Sequence, residues 1–331
     1  MHKRVHYLWI MLVGLMLLTD PPVYIYLSGY LSEAAGVAPL LFWAIPAFML
    51  IRLITLVRHG SFFKKDPRAQ KAYFNYFGLF ILFYLPKILF LLIALSQSMI
   101  NLVIDLVSPY DIRIQVLGIG GLVLSGMMFI LILYGILMGR FHFKRERLEV
   151  RHDQIPDVFD GVKIVQISDL HIGSWVGHRR QMKRAVKMIN DEHPDILVLT
   201  GDLFNNYYEE IRDFKDILLN MEAKRGKYAV LGNHDYGDYF HWTSNEEYRQ
   251  NFENIKNAYR ELGFQLLLNE SVNIPKGQAS VGIAGVENWG LPPFHQYGDL
   301  EQALSGLNGS AFNILLSHDP SHWHQEVLRN G

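Results

Sequence analysis

The sequence predicts an α/β protein in two parts: four membrane-spanning helices, followed by a domain of alternating strands and helices. The first observation is charge. Of the 31 Lys and Arg and 32 Asp and Glu residues, 15 lie in residues 1–139 and 48 in residues 140–331. The second is the length of the apolar runs, because long runs in the first part give way to short ones separated by polar helical stretches. We therefore divide the chain into a transmembrane domain, 1–140, and an α/β domain, 141–331.

The composition of the whole chain excludes several classes of site. The chain has no cysteine, so there is no disulfide framework, and any metal site must use His, Asp, Asn or Glu ligands. A net charge of −1 gives no sign of the basic face that nucleic-acid binding usually needs, and we expect no nucleic-acid partner.

Four apolar runs approach the roughly 20 residues that a helix needs to cross a bilayer. They lie at about 5–27, 38–57, 75–97 and 115–138. The first is broken by Asp-Pro-Pro at residues 20–22 and is the weakest of the four. A signal peptide is the alternative for this run, but no small-residue cleavage site follows it and three further runs do. The lipid bilayer is therefore the first expected partner.

Basic residues lie on one side of this four-span arrangement. They occur at the N-terminus, between the second and third spans and after the fourth, as Lys3, Arg4, Arg58, Lys64, Lys65, Arg68, Lys71, Arg140, Lys144, Arg145 and Arg147. The segments on the opposite side carry Arg113. The positive-inside rule then predicts a multi-pass protein of the inner (cytoplasmic) membrane whose α/β domain faces the cytoplasm.

Lys87 lies in the middle of the third run, beside Pro86. One interpretation is a lysine that lines a wet crevice or extends its amine to the interface. The other is an intramembrane pair with Asp20, because charged side chains within a membrane usually pair. At 1.5 Å per residue, both residues lie roughly 18–22 Å from the cytoplasmic edge.

The second part of the chain alternates between strands and helices. The sequence predicts strands at 162–168, 195–202, 227–235, 264–271, 279–288 and 313–320, and helices at 178–193, 208–221 and 244–263. The strand at 162–168 has the apolar content of a buried strand, and residues 141–153 alternate like an exposed one. This order predicts a βαβ core with a parallel component.

Polar residues follow four of these strands at the point where each strand ends. They are Asp169 and His171, then Asp202, then Asn233, His234 and Asp235, and finally His318. Ligands of open α/β sheets bind beyond the carboxyl ends of the strands, so we expect these side chains at one edge. Unpaired, they would cost desolvation energy, whereas mixed His and carboxylate ligands suit divalent metals. The sequence therefore predicts a metal centre.

The ordered motifs Asp-x-His, Gly-Asp, Gly-Asn-His-Asp and a later His resemble the calcineurin-like metallophosphoesterases over about residues 160–320. Asp-Leu-His-Ile-Gly-Ser after a membrane segment is similar to the membrane-associated branch of that superfamily. The resemblance implies a metallophosphoesterase-type β-sandwich flanked by α-helices, with two divalent ions (Mn, Fe, Zn or Mg) at the strand ends.

The resemblance also implies a role for each residue. The implied metal ligands are Asp169 and His171 for the first ion, Asp202 for both ions, and Asn233 and His318 for the second. His234 would contact the phosphoryl group as an acid or charge stabiliser, oriented by Asp235.

This chemistry needs no Ser or Cys nucleophile. Two metals roughly 3.5–4 Å apart clamp a phosphoryl oxygen and activate a bridging water, so that hydroxide attacks phosphorus in line. We therefore expect a membrane-anchored phosphoesterase that hydrolyses a phosphodiester or pyrophosphate bond of a phosphorylated small molecule. A site beside the bilayer favours a lipid-linked substrate, for which the resemblance suggests UDP-diacylglucosamine in lipid metabolism. A soluble substrate is the alternative within this class.

Two further segments could contact substrate. Main-chain groups of residues 171–174 could hold phosphate, and Glu287 and Asn288 could line the cleft. In each case an ordinary loop is the alternative.

The family pattern continues with a Gly-His-x-His that supplies one more imidazole to each metal, and this sequence ends at Gly331 before any such motif. His322 and His324 have the His-x-His spacing but lack the glycine and lie where a helix is expected to begin. We therefore expect an incomplete domain, weak metal binding and little or no hydrolysis from these 331 residues.

Two other functions compete with hydrolysis. One is a membrane sensor or interaction protein with a catalytically impaired metal-binding domain. The other is a transporter that uses Asp20, Lys87 and Asp105, which is disfavoured because the four spans show no repeat symmetry.

Overall fold

The computed structural model describes residues 2–28, 36, 38–59, 65–108, 110, 115–292, 295–307 and 309–330. The chain divides into two units, one of residues 1–64 and 69–144 and the other of residues 65–68 and 145–331. The first unit contains the apolar helices, and the second contains the described strands. Two of the basic residues behind the orientation prediction, Lys64 and Arg113, lie outside the described residues, as do the side chains of Lys3 and Arg4.

Four helices of the first unit are long and apolar enough to cross a membrane. They are α1 His2–Ser28, α2 Ala38–His59, α3 Pro67–Val107 and α4 Val116–Leu137. Each predicted span corresponds to one of these helices. α3 has 41 residues and extends beyond the predicted span at both ends. Large apolar side chains remain exposed along these helices, as on a surface that lipid covers.

The Asp-Pro-Pro that interrupts the first apolar run does not end its helix. α1 continues through Pro21 and Pro22. A proline removes one backbone hydrogen bond, but membrane helices tolerate this loss because side chains and neighbouring helices satisfy the groups that are released.

A buried ion pair joins α1 to α3. Lys87 Nζ lies 2.6 Å from Asp20 Oδ1, and the Tyr84 hydroxyl donates to Asp20 Oδ2 at 2.8 Å. Lys87 Nζ also lies 4.8 Å from the ring centroid of Tyr84 and 5.0 Å from that of Phe42, which belongs to α2. The pairing hypothesis for Lys87 is therefore confirmed, and the cluster brings three helices together.

The second unit begins with a parallel sheet of order β1-β2-β3-β4. Its strands are β1 Ile164–Ile167, β2 Ile196–Thr200, β3 Gly226–Val230 and β4 Gln265–Leu266. Helices connect them: α5 Arg179–Asn190, the short α6 Lys215–Leu218 and α7 Asn245–Glu261. The predicted helix at 208–221 is divided into a 3-10 helix, Tyr208–Asp213, and α6. α7 begins where the side chain of Ser244 accepts from the Glu247 amide, the predicted cap.

A second sheet has the order β5-β6-β7, with β5 and β6 antiparallel and β6 and β7 parallel. Its strands are β5 Glu270–Lys276, β6 Ala279–Gly285 and β7 Phe312–Leu316. α8 Leu300–Leu304 precedes β7, and a π-helix, Trp323–Val327, and α9 Leu328–Asn330 follow it. Side chains of β2 and β3, such as Val198 and Val230, pack with Ile274 and Ile283 of the second sheet. The two sheets therefore form the predicted sandwich.

Two strand predictions are corrected. Residues 142–153 form no strand, and two of them, Arg145 and Arg147, instead pair with Glu192 at 2.6 and 3.1 Å. β1 is only half-buried, with Ile164 41% exposed. Among the described strands β1 pairs with β2 alone, and its face borders a groove of about 1610 Å³.

Candidate metal centre

The polar residues that follow the first three strands lie at one edge of the sheet. β1, β2 and β3 are parallel neighbours, so the loops that follow them start side by side. In the second sheet, β7 runs parallel to β6 and ends just before His318. The His318 ring bonds to the carbonyl of Thr200, the last residue of β2, at 2.8 Å. The residues that follow β7 therefore lie beside those that follow β1, β2 and β3.

The backbone at this edge adopts a conformation that is uncommon for residues with a side chain. Asp169, His171 and Asp202 have φ angles of 55°, 43° and 57°, in the left-handed region. Such conformations cost free energy and tend to cluster at functional sites. Three of the predicted metal ligands are therefore held in strained positions.

Close backbone approach explains the two glycines of the Gly-Asp and Gly-Asn-His-Asp motifs. A Cβ atom on Gly201 would collide with the backbone of Gly232, and one on Gly232 would collide with the carboxylate of Asp202. The loops that follow β2 and β3 therefore pass each other at a distance that only glycine allows.

Asp202 lies at the centre of the site and is 2% exposed. Its Oδ1 atom accepts from the backbone amide of His234 at 3.0 Å. Its Oδ2 atom lies 3.3 Å from Nε2 of His171 and 3.6 Å from Nε2 of His318. One oxygen is therefore fixed by the backbone, and the other faces imidazoles on two sides.

Two groups of side chains at this edge have the spacing of metal ligands, and both contain Asp202. One is His171, Asp202 and His234, and the other is Asp169, Asp202 and His318, with the ligand atoms of each group within 4.8 Å of one another. The structure thus brings five predicted site residues together. Asp169 Oδ1 is also 3.8 Å from His171 Nε2, so the assignment of each ligand to one of two ions stays a prediction.

The predicted ligand Asn233 lies beside His318. Its Oδ1 atom is 3.2 Å from His318 Nε2, and its Nδ2 atom donates to the Tyr239 hydroxyl at 2.6 Å. Because the Thr200 carbonyl can only accept, the His318 ring donates to it from Nδ1 and presents Nε2 to Asn233 and Asp202.

The donor set fits a cation. Nε2 of His318 lies 3.2 Å from Oδ1 of Asn233 and 3.6 Å from Oδ2 of Asp202, so three candidate ligand atoms converge. Burial and the neighbouring His234 lower the pKa of His171, so its imidazole is neutral near pH 7 and can act as a ligand. Burial raises the pKa of Asp202, a desolvation cost that a bound cation would offset. A divalent metal would compensate all of these groups.

The role predicted for Asp235 is wrong in one respect. The His234 ring is oriented by the backbone carbonyl of Asn205, 2.7 Å from Nδ1, and not by Asp235. The buried carboxylate of Asp235 instead accepts from the backbone amides of Asp202, Phe204 and Gly232 and from the Tyr259 hydroxyl. Burial and the nearby Asp202 raise its pKa to about 6. Asp235 therefore holds the loops after β2 and β3 together.

The main-chain phosphate site predicted at residues 171–174 is also wrong. The amides of His171, Ile172 and Ser174 donate to backbone carbonyls at 2.8 to 3.0 Å. The amide of Gly173 bonds to the buried carboxylate of Glu210. All four N–H groups are therefore committed within the protein.

Glu210 organises this region and was missed by sequence reasoning. It is buried, and it accepts from the amides of Asn205, Asn206 and Tyr207 at 2.6 to 3.2 Å. Burial raises its pKa to about 7. The capping pattern at Tyr207–Glu210 is a local signal that could have identified it, whereas nothing local indicates that the Asn205 carbonyl holds His234.

Other predicted contacts are structural in the described residues. Glu287 accepts from the Tyr236 hydroxyl at 2.9 Å, and Asn288 is buried; a substrate contact for either stays a prediction. His322 is buried between Ser317 and Glu326, in agreement with the interpretation that it does not replace the missing ligands.

Comparison with known proteins places this fold and site in a family. Residues 162–330 match the family described as calcineurin-like phosphoesterase, and the chain belongs to this family. It is 27% identical over 197 residues to a transmembrane protein with metallophosphoesterase domain from Danio rerio, and 32% identical over 182 residues to the protein of that name from Bos taurus. The alignments cover 58% and 52% of this chain.

These relatives are longer than the region they share. The alignments cover 42% of the Danio rerio protein and 38% of the Bos taurus protein. An uncharacterized metallophosphoesterase of Campylobacter jejuni is 22% identical over 285 residues, which is 84% of this chain and 70% of that protein. The membrane-associated branch predicted from the sequence is therefore confirmed.

Proposed function

We propose that this protein is a membrane-anchored, two-metal phosphoesterase that hydrolyses a phosphodiester or pyrophosphate bond. One observation carries the proposal: two groups of metal-ligand spacing share Asp202, whose Oδ2 atom lies between two imidazoles. A carboxylate in that position suits a ligand that bridges two ions, and two-metal sites commonly catalyse phosphoryl chemistry.

The residues divide the work as follows. Asp169, His171, Asp202, Asn233 and His318 would hold two divalent ions, of which Mn, Fe, Zn and Mg are candidates. When bound, such ions supply an activated water and neutralise charge on the phosphoryl oxygens. His234 keeps its Nδ1 hydrogen on the Asn205 carbonyl, which directs Nε2 towards the ligand group. From there the ring, when it also carries a proton on Nε2, would donate that proton to the phosphoryl group or the leaving oxygen.

The membrane unit supports a lipid-linked substrate. Four candidate spans are covalently continuous with the phosphoesterase unit, and the relatives' name combines a transmembrane protein with a metallophosphoesterase domain. UDP-diacylglucosamine, cleaved at its pyrophosphate, is the candidate that we would test first. The distribution of basic residues supports a location in the inner membrane with the site on the cytoplasmic side.

The test uses the full chain in lipid nanodiscs. Mn²⁺ binding is measured from the electron paramagnetic resonance of free Mn²⁺, and hydrolysis is measured on bis-p-nitrophenyl phosphate and on UDP-diacylglucosamine. We expect slow, Mn²⁺-dependent hydrolysis that EDTA abolishes. Asp202→Asn should reduce both binding and rate by more than about tenfold. Asp216→Asn is the matched control, because its carboxylate pairs with Arg179 on the surface.

The outcomes separate the competing functions. Mn²⁺ binding that depends on Asp202 without hydrolysis of either substrate would favour the sensor with an impaired domain over an active enzyme for these 331 residues. Equal Mn²⁺ binding by the wild-type chain and Asp202→Asn would overturn the metal centre itself.

Orientation can be tested separately, because the chain has no cysteine. A single cysteine introduced at Arg151 should react with a membrane-impermeant maleimide only after spheroplasts are opened. Labelling of intact spheroplasts would place the phosphoesterase unit outside the cytoplasm.

A further inference from the structure

The side chain of Asn233 has two orientations, and only one of them presents its oxygen to a metal ion. Its side-chain amide has an oxygen that can bind a cation and an NH₂ group that repels one, and the two have nearly the same shape. A hydrogen-bond partner on the NH₂ side would hold Oδ1 towards His318 and Asp202, where candidate metal ligands lie.

Tyr239 is in position to be that partner. Its hydroxyl accepts from Asn233 Nδ2 at 2.6 Å, and this bond leaves Oδ1 on the side of His318, 3.2 Å from Nε2. The ring of Tyr239 lies 4.5 Å from the ring of His234, at 35° to it. One side chain therefore contacts both Asn233 and His234.

The local fold explains why a residue six positions after Asn233 returns to it. The amide of Gly237 donates to the carbonyl of His234 at 3.0 Å, and Gly237 has a φ of 78°, so the chain turns back on itself there. Tyr239 follows the turn and is 39% exposed. A half-exposed tyrosine at the rim contributes less to the core than a buried one, so removing its hydroxyl should leave the fold intact.

We propose that Tyr239 is a positioning residue for the metal centre, and this rests on the function proposed above. Its hydroxyl holds the amide of Asn233 with Oδ1 towards the metal, and its ring restrains His234. Tyr239 itself binds neither metal nor substrate in this arrangement.

The first experiment measures Mn²⁺ binding to the full chain in nanodiscs, with the free-ion resonance as the readout. Tyr239→Phe should weaken the binding of one of two Mn²⁺ ions by about 10- to 100-fold, the usual effect of losing a partner of a metal ligand. Asn233→Ala should weaken the same ion at least as much. Tyr248→Phe is the matched control, because its hydroxyl bonds to Asp238, and it should leave both affinities unchanged.

The second experiment distinguishes positioning from a general structural effect. If Tyr239 acts on the metal centre through Asn233, its effect should vanish when the side chain of Asn233 is removed. In the Asn233→Ala background the hydroxyl has no amide left to hold, so Tyr239→Phe should change Mn²⁺ affinity by less than about twofold. A loss as large as in the wild-type background would overturn the proposal.

Failure of this inference can be told apart from failure of the proposed function. If the wild-type chain binds two Mn²⁺ ions and Asn233→Ala weakens one of them, but Tyr239→Phe does not, Tyr239 has no positioning role and the metal centre stands. If the wild-type chain binds no Mn²⁺, or if Asn233→Ala has no effect, the ligand set itself is wrong and this inference falls with it.

Discussion

Replacing one member of the Asp20–Lys87 pair should destabilise the membrane unit more than replacing both. Lys87→Met leaves the buried carboxylate of Asp20 with one donor, the Tyr84 hydroxyl at 2.8 Å. Asp20→Asn leaves the ammonium group with the ring faces of Tyr84 and Phe42, on a side chain that is 15% exposed. Asp20→Asn therefore leaves the charge of Lys87 better compensated than Lys87→Met leaves the charge of Asp20.

The magnitudes follow from these contacts. Breaking a buried ion pair costs about 3–5 kcal/mol, and a lone charge at the centre of a membrane helix costs about 3 kcal/mol on insertion scales. We expect Lys87→Met to lose about 3 kcal/mol, and Asp20→Asn to lose about 2 kcal/mol because cation–π contacts offset part of the cost. The double variant leaves no charge unpaired and should lose about 1–2 kcal/mol, so the two changes couple by about 3 kcal/mol.

The assay is the free energy of unfolding of the full chain, from SDS titration in mixed micelles followed by circular dichroism. Ser96→Ala is the control, because this exposed hydroxyl of α3 bonds to the carbonyl of Leu92 in the same helix. Losses for the two single variants that add in the double variant to within about 0.5 kcal/mol would refute the reasoning.

Three further predictions concern the phosphoesterase unit. Gly232→Ala should weaken Mn²⁺ binding by more than about tenfold, since the new Cβ would displace the carboxylate of Asp202. Tyr259→Phe should lower the free energy of unfolding by about 2 kcal/mol, because the buried Asp235 loses a donor 2.9 Å away. Burial raises the pKa of Glu210 to about 7 from an ordinary 4.5, so its contribution to stability is present below about pH 4.5 and lost as the pH rises through 7. In EDTA the melting temperature should fall over this range, and Glu210→Gln should flatten the slope.

Each of these has a matched control and a contrary result. Gly126→Ala is the control for Gly232→Ala, because its Cβ has nothing within 4 Å, and it should leave Mn²⁺ affinity unchanged. Wild-type Mn²⁺ affinity in Gly232→Ala would contradict the close approach of Gly232 to Asp202. Tyr248→Phe removes a hydroxyl at the surface, and a loss as large as that of Tyr259→Phe would mean that burial of the acceptor does not matter. An unchanged pH slope in Glu210→Gln would assign the titration to another group.

Sequence reasoning was effective where a property repeats along the chain or belongs to a strand end. Long apolar runs indicated the four spans, because a helix in lipid must be apolar over its whole length. Motifs after strands indicated that Asp169, Asp202 and His318 would lie close together, because the carboxyl ends of parallel strands lie at one edge of the sheet.

The same reasoning failed where pairing decides the outcome. Residues 142–153 alternate like a strand, but in the described residues no neighbour pairs with them, and Arg145 and Arg147 bind Glu192 instead. Asp-Pro-Pro made the first apolar run the weakest of the four, yet α1 continues through Pro21 and Pro22, because membrane helices can compensate the lost backbone bonds.

The sequence by itself determined the two-part organisation, the order of strands and helices, and the residue types available at the strand exits. Only the tertiary structure decided the partner of each polar atom. It shows which oxygen of Asp202 faces the imidazoles, which carbonyl bonds to His234, and which hydroxyl bonds to the amide of Asn233. The physical reason is that periodicity records how a side chain is buried against a core. A single hydrogen bond depends instead on the position of one acceptor, which for the His318 ring lies 118 residues away in the chain.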